Sequence, residues 1–223
     1  MYRHPDTLAT PKEETLVKSG YYYPNRFARV VIEVLAEVMG QNGLNAVQHY
    51  AGLNDYIDNP PPYDLRKGFD FADFTALNIA LEDMYGARGV RGLGTHTGRV
   101  LYAYGLRGLG ALAGIEALEF QVLPLSARLR IGLPTLANVF NQFSDQASRV
   151  FEVDDERIVF AVERCPMCWQ RRTNHRACHI TKGLLQEALT WISDGHEFEV
   201  EIETCMAQGR DMGQYTIYKE PLE

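Results

Sequence analysis

Four cysteines near the C-terminal end are the residues of this sequence best suited to chemistry. They are Cys165, Cys168, Cys178 and Cys205, and the 223-residue chain has no others. A two-residue gap lets Cys165 and Cys168 direct both thiolates at one ion, and two more sulfurs complete the tetrahedron that zinc prefers. We therefore predict a four-cysteine zinc site that ties the C-terminal third of the chain together.

Other uses of these cysteines remain open from the sequence. Buried free cysteines behave as small hydrophobic residues, and a Cys-x-x-Cys pair can serve redox chemistry because its thiol pKa is lowered. Two disulfides fit less well, because the chain begins without an apolar leader and is not a small cysteine-dense scaffold. His175 and His179 stand beside Cys178 and are candidate substitute ligands.

Composition limits the classes of protein that fit. The formal net charge is −7, with 46% hydrophobic and 23% charged residues, which is ordinary for a globular protein. An acidic chain argues against nucleic-acid binding, which needs a concentrated basic face. The arginines in 164–176 read as a solvated loop. No apolar run is long enough for a membrane span, so we expect a cytoplasmic protein.

The elements that must position the cysteines fall into two parts. Residues 1–20 are polar and read as an N-terminal extension, and 21–148 carry helical periodicity. Two helices are expected on either side of Gly40–Gly43, and the proline-rich segment 54–68 is expected to be a loop. A strongly amphipathic helix should follow over 70–85, with Asp70 or Asp73 as its cap.

The segment 86–99 is rich in glycine and arginine. It is not a dinucleotide fingerprint, because a helix rather than a strand precedes it and the Walker Lys-Ser/Thr pair is absent. Its glycines are expected to let one backbone approach another. Arg88, Arg91 and Arg99 are candidates for contact with an anionic group on a ligand or partner.

Aromatic residues of 102–143 could form plain core or line an apolar pocket, since both use the same side chains. Residues 100–120 read as two helices, or one broken near Gly105–Gly110, and a further helix should carry Leu136 to Phe143. We take five of these aromatics as candidate pocket residues: Tyr102, Tyr104, Phe120, Phe140 and Phe143.

From residue 149 the periodicity changes from helical to alternating. A hairpin is predicted over 150–163, a helix over 178–192, and strands over 197–204 and 214–218. The expected fold is α+β, with N-terminal helices packed on a C-terminal antiparallel sheet of about four strands. Residues 21–223 are expected to form a single ligand-binding domain, with a helical part (21–148) and a sheet and cysteine part (149–220).

Several of these motifs resemble the 4-vinyl-reductase or hydrocarbon-binding domain family. The similar pieces are the segment Cys178-His-Ile-Thr-Lys-Gly183, the segment Glu203-Thr-Cys205-Met-Ala-Gln-Gly209 and the strand at Tyr215, with Cys165-Pro-Met-Cys168 before them. The resemblance implies a fold shared with Golgi-transport tethering subunits and haem nitric-oxide sensor domains, and often a homodimer. Where relatives have a cysteine ligand, this chain has Gly213, so the Cys165–Cys168 pair is expected to replace it.

The resemblance implies a stand-alone binding or sensor protein for a small hydrophobic or aromatic ligand, with structural zinc. One alternative is a reductase of a vinyl group on a (bacterio)chlorophyll precursor. Hydride delivery to an alkene needs a nicotinamide, a flavin or a cluster, and the sequence offers no evident site for one. A tethering or scaffold subunit is the other alternative. A hydrolytic zinc enzyme is disfavoured, because four thiolates leave no open position for water.

Overall fold

The chain folds as helices packed with an antiparallel sheet, which confirms the expected α+β class. The computed structural model describes residues 16–107, 109 and 118–222. The elements in these ranges are β1 (Tyr22–Pro24), α1 (Asn25–Tyr50), α2 (Asp55–Asp58), β2 (Lys67–Asp70), α3 (Phe71–Val100), α4 (Leu118–Gln121), α5 (Leu125–Phe143), β3 (Ser148–Glu152), β4 (Arg157–Val162), α6 (His179–Ile192), β5 (Phe198–Thr204) and β6 (Gly213–Pro221).

The first long element changes direction at Gly40, as predicted. Two helices were expected around this residue, and α1 consists of two helical segments that meet at a kink, where Gly40 takes the non-helical values φ 74° and ψ 162°. A glycine adopts this positive φ without the steric cost that a side chain carries. Both segments bury apolar side chains, Val31 and Leu35 before the kink and Leu44 and Val47 after it.

The proline-rich segment 54–68 was expected to be a loop throughout, and this is wrong at both ends. Its first residues form the short helix α2, and β2 begins at Lys67 and pairs antiparallel with β1. The prolines at 60–62 lie between these elements, where no backbone donor is needed. The resulting two-stranded ribbon leads directly into α3.

Helix α3 confirms both the predicted cap and the predicted role of the glycines. The Asp70 carboxylate accepts a hydrogen bond from the Ala72 amide at 2.7 Å, as an N-cap residue should. The glycine-rich run is itself helical, beyond a second kink at Gly86 with φ 72°. A Cβ on Gly98 would lie 1.9 Å from the Ile180 carbonyl oxygen, so α3 and α6 meet backbone to backbone.

The segment after α3 is only partly described. Residues Leu101–Leu106 continue as a π-helical turn, and the predicted helical stretch from 108 to 117, apart from Leu109, lies outside the described residues. Helix α5 follows Pro124. Pro134 lies inside α5. Residues 136–143 are helical, as predicted.

The sheet has four strands in the order β3-β4-β6-β5, and all neighbouring pairs are antiparallel. The predicted hairpin is β3 and β4. Phe198, Val200 and Ile202 of β5 are buried while the glutamates between them are exposed, which confirms the predicted alternation. Helix α6 lies between the buried face of this sheet and α3, with Leu185, Ala188 and Leu189 fully buried.

The N-terminal boundary stays a prediction, since residues 1–15 are outside the described ranges. Residues 17–19 are hydrogen-bonded to the remainder of the protein. Val17 exchanges hydrogen bonds with Trp169 and Gln170, and Ser19 donates to Asp70 through its amide and its hydroxyl. This short segment therefore spans the start of α3 and the cysteine loop.

Candidate metal centre

The four cysteine sulfurs come together from three parts of the chain. Cys165 and Cys168 lie in the loop after β4, Cys178 is the N-cap residue of α6, and Cys205 follows β5. The Cys178 sulfur lies 3.7 Å from Cys165, 3.0 Å from Cys168 and 3.5 Å from Cys205. Cys168 and Cys205 are 3.6 Å apart. All four side chains are buried.

Local backbone turns direct these sulfurs inward. The Cys168 amide donates to the Cys165 carbonyl at 3.3 Å, and the Arg171 amide donates to the Cys168 carbonyl at 3.2 Å. A short 3-10 turn follows Cys205, with the Gln208 amide donating to its carbonyl at 3.0 Å. Each turn is compact enough to leave the thiol as the group that faces the interior.

Hydrogen bonds from side chains of helix α3 also hold the cysteine loop in place. The buried Thr75 hydroxyl donates to the Pro166 carbonyl at 2.6 Å and accepts from the Trp169 amide at 3.0 Å. Asn78 donates to the Ala177 carbonyl at 3.4 Å. These contacts join the cysteine loop to an element nearly 100 residues away in sequence, as the separations of 91 and 99 residues show.

A buried ion pair completes this attachment. Arg171 donates to Glu82 of α3 at 2.7 Å, and its side chain is only 5% exposed. The Arg-rich loop was expected to be solvated, and for Arg171 this is wrong. The residue follows the Cys-x-x-Cys pair by three positions, and the carboxylate it meets is distant in sequence. His175 contacts the same Glu82 carboxylate at 2.8 Å.

The thiols are electrostatically unequal in the absence of metal. Hydrogen bonds from Cys165, Cys178 and Cys205 lower the pKa of Cys168 well below its usual value. Contacts with the other three sulfurs, together with burial, raise the pKa of Cys178. The contact with Cys168 is the largest cause that raises the pKa of Cys165 and of Cys205. The contacts among the four sulfurs thus favour thiolate charge at Cys168 over the other three.

The donor set and spacing fit a zinc ion. Zinc–sulfur bonds of about 2.3 Å set the edge of a tetrahedron at about 3.8 Å, close to most of the sulfur–sulfur distances above. The sulfurs of Cys165, Cys168 and Cys178 all lie within 4.8 Å of one another and could hold a metal ion. The Cys205 sulfur contacts two of these three, Cys168 and Cys178.

The two candidate substitute ligands have other surroundings. His175 is half-buried, and its imidazole contacts Glu82 and the Thr173 hydroxyl. His179 is also half-buried, and burial, followed by the charge of Arg91, lowers its pKa to about 4. Neither histidine is part of the three-cysteine group of possible ligands found among the described residues.

The five predicted pocket residues differ in burial. Phe140 packs edge-on against Phe27, with ring centroids 6.3 Å apart. Tyr102 and Phe120 are buried, Phe143 is half-buried, and Tyr104 is 66% exposed. None of them lines either of the two clefts described for this chain. The apolar pocket therefore stays a prediction.

Comparisons with known proteins agree with the fold. The model of the family described as Methanogen output domain 1 matches residues 130–218. An H-NOX protein from S. oneidensis, in the Fe(II)NO ligation state, aligns over 87% of this chain and 98% of its own, with 13% identity and a TM-score of 0.51. The Fe(II) unliganded H-NOX protein from K. algicida aligns over 90% and 97%, with 12% identity and a TM-score of 0.51.

A comparison with curated proteins gives no match. The relation to the haem nitric-oxide sensor fold that the sequence motifs implied is thus supported by structure, and membership of the 4-vinyl-reductase family stays a prediction. No helix in the described ranges combines the length and apolarity of a membrane span. The chain is similar in architecture to H-NOX domains along nearly all of its length.

Its described side chains do not reproduce a histidine-ligated haem site. His49, His96 and His196 are exposed, and His175 and His179 are half-buried. Between α1, α3 and α5 the interior is filled by aromatic rings in mutual contact, among them Tyr23, Phe27 and Phe74. A haem would need an apolar slot with an axial ligand directed into it, and the described part of this interior is packed with side chains.

Proposed function

We propose that this chain is a ligand-responsive sensor domain in which Cys165, Cys168, Cys178 and Cys205 hold one structural zinc ion. The convergence of four buried thiols from three segments is the observation that carries the zinc proposal. Zinc with four thiolates has no open coordination position, so the site stabilises the fold and does not activate water. This favours a binding protein over a hydrolytic enzyme.

The sensor role is supported by architecture. The chain resembles H-NOX domains over nearly their whole length, and the matched family model is described as an output domain. On this basis we propose that the chain binds a small molecule and transmits its state to a partner. We propose a small hydrophobic or aromatic ligand, a homodimer and a cytoplasmic location, as the sequence motifs implied.

Zinc content and stability test the metal proposal together. Purified protein should contain about one zinc per chain by elemental mass spectrometry, as expected for a single tetrahedral site. Cys178→Ala should lose the metal and unfold at a lower temperature, because it removes the sulfur that contacts all three others. His175→Ala is the matched control. It removes an imidazole, a group that can bind zinc, from a position near the cysteine cluster but outside it, and this variant should retain zinc.

The result also separates the alternatives. Metal-free protein with four titratable thiols would overturn the zinc proposal. Iron with a visible absorption band would favour redox chemistry and the reductase alternative. Zinc retained in Cys178→Ala but lost in His175→Ala would mean that the ligand set differs from the four cysteines.

A further inference from the structure

A cleft beside the cysteine cluster combines basic side chains from four separate elements. Its volume is about 760 Å³, within the range of about 300–1,000 Å³ typical of small-molecule sites. Helix α3 contributes Arg91 and Thr95, and the loop before α6 contributes Arg176. Lys182 comes from α6 and Arg210 from the turn after β5.

Close helix packing brings these side chains together. A Cβ on Gly94 would lie 3.0 Å from the Cβ of His179, and one on Gly183 would lie 1.9 Å from the Thr95 carbonyl oxygen. Without side chains at these glycines, α3 and α6 approach closely enough for Arg91 and Lys182 to border the same space. The glycines thus position the cleft as well as the helices.

The basic side chains of the cleft are not held in salt bridges with its carboxylates, among the residues that the structure describes. Among the described residues, Arg91, Lys182 and Arg210 form no salt bridge, whereas the nearby Arg99 pairs with Glu187 and Glu197. The Arg176 guanidinium donates only to a backbone carbonyl, that of Glu203, at 3.4 Å. These groups keep donors available for a ligand.

Two carboxylates also line the cleft, and both have local hydrogen-bond partners. Glu203 accepts from the Thr216 hydroxyl at 3.2 Å, and Glu201 accepts from the Tyr218 hydroxyl at 3.4 Å. Four cations against two carboxylates leave a local positive charge on a protein whose formal net charge is −7. A cleft that is locally basic on an acidic protein attracts anions selectively to one place.

We propose that this cleft binds a small organic anion through its phosphate or carboxylate groups. Arginine presents a planar fork of donors that matches both oxyanions, and lysine adds a compact charge. The concave shape and the two carboxylates favour a compact ligand over a nucleic-acid strand, which needs an extended basic track. This proposal is independent of the zinc ion and of the apolar ligand.

Calorimetric titration of the zinc-loaded protein tests the site. Fructose 1,6-bisphosphate is the phosphate probe, tricarballylate is the carboxylate probe, and fructose is the uncharged control. Both anions should bind and fructose should not, and the tighter anion identifies the oxyanion preferred. Arg91→Gln with Lys182→Gln should weaken anion binding at least about tenfold, since two charge-assisted contacts are lost.

Arg88→Gln is the matched control. Arg88 is exposed on the same helix but does not line the cleft, so affinity should change less than about twofold for a screened distant charge. Unchanged circular dichroism and zinc content establish that each variant is folded. No heat with either anion, or equal weakening in Arg88→Gln, would overturn the proposal. So would a single-stranded DNA oligomer that binds more tightly than both anions.

Discussion

Gly98 of α3 lies against the backbone of Ile180 in α6, at a distance that leaves no space for a methyl group. A Cβ at Gly98 would lie 1.9 Å from the Ile180 carbonyl oxygen and 2.7 Å from the Leu184 amide nitrogen. Backbone atoms cannot move aside as a flexible side chain does. The two helices must therefore separate to accommodate any larger residue.

Gly98→Ala should destabilise the protein by about 3 kcal/mol or more, in the range of severe overpacking. Gly92→Ala is the matched control, because Gly92 is helical in the same element and nothing lies within 4 Å of its added Cβ. It should stabilise by roughly 0.5–1 kcal/mol through helix propensity. Urea unfolding of both variants measures the difference, and equal stabilities would contradict the close approach.

The Glu82–Arg171 pair should be important for the cysteine loop. Glu82→Gln leaves the buried Arg171 guanidinium without its counter-charge. We expect the free energy of unfolding to fall by about 2–4 kcal/mol, near the lower end for a broken buried ion pair. Asp83→Asn on the next, exposed position is the control and should change stability by less than about 0.5 kcal/mol. Thermal unfolding of the zinc-loaded proteins measures both, and a neutral Glu82→Gln would show that the pair is dispensable.

The Asp70 cap should make stability depend on acidic pH. Burial alone would raise the pKa of Asp70, but hydrogen bonds from Ser19, Ala72 and Gly20 outweigh it and lower the pKa. The folded pKa thus lies below the unfolded value of about 3.9. The contribution is complete above that value and is lost as pH falls through the folded pKa.

Asp70→Ala should therefore lower the free energy of unfolding by about 1–2 kcal/mol at pH 7, because it removes both the cap and its charge. The difference in the free energy of unfolding between the variant and the unsubstituted protein should shrink as pH falls below about 4. Urea unfolding at pH 7, 4 and 3 measures this difference. A difference that stays constant with pH would show that the charge of Asp70 does not contribute.

Acidic pH should also favour removal of the metal, because protons compete with zinc for the thiols. Because Cys165, Cys178 and Cys205 have raised pKa values, they must release protons to bind zinc, and apparent affinity falls as pH falls. A chelator should remove zinc more completely at pH 6 than at pH 8 and should lower the unfolding temperature. Removal that is independent of pH would contradict ligation by thiols that are protonated in the metal-free state.

The sequence predicted features that depend on local pattern. Alternation in residues 197–204 identified β5. Asp70 and Asp73 were the two candidate caps of the helix that follows, and the structure shows that Asp70 is the cap. Cysteine spacing pointed to residues that the structure brings together. The glycine-rich segment was correctly expected to allow close backbone approach, although its partner, α6, was not named.

Features that depend on contacts between residues far apart in sequence could not be predicted from local pattern. Glu82 and Thr75 stabilise the cysteine loop from a helix far away in sequence, and nothing near them indicates that role. Apolar composition alone does not distinguish a packed core from a pocket, so the apolar pocket stays a prediction.

The two tryptophans of the chain occupy environments that can be observed separately. Trp169 follows Cys168 and its indole donates to Val17, whereas Trp191 lies near the end of α6 with the Arg107 guanidinium over its ring. Trp191 lies thirteen positions beyond Cys178 along α6, which is about 20 Å along the helix axis. Intrinsic fluorescence of single-tryptophan variants can therefore distinguish a local change at the cysteine loop from a change at the far end of the helix.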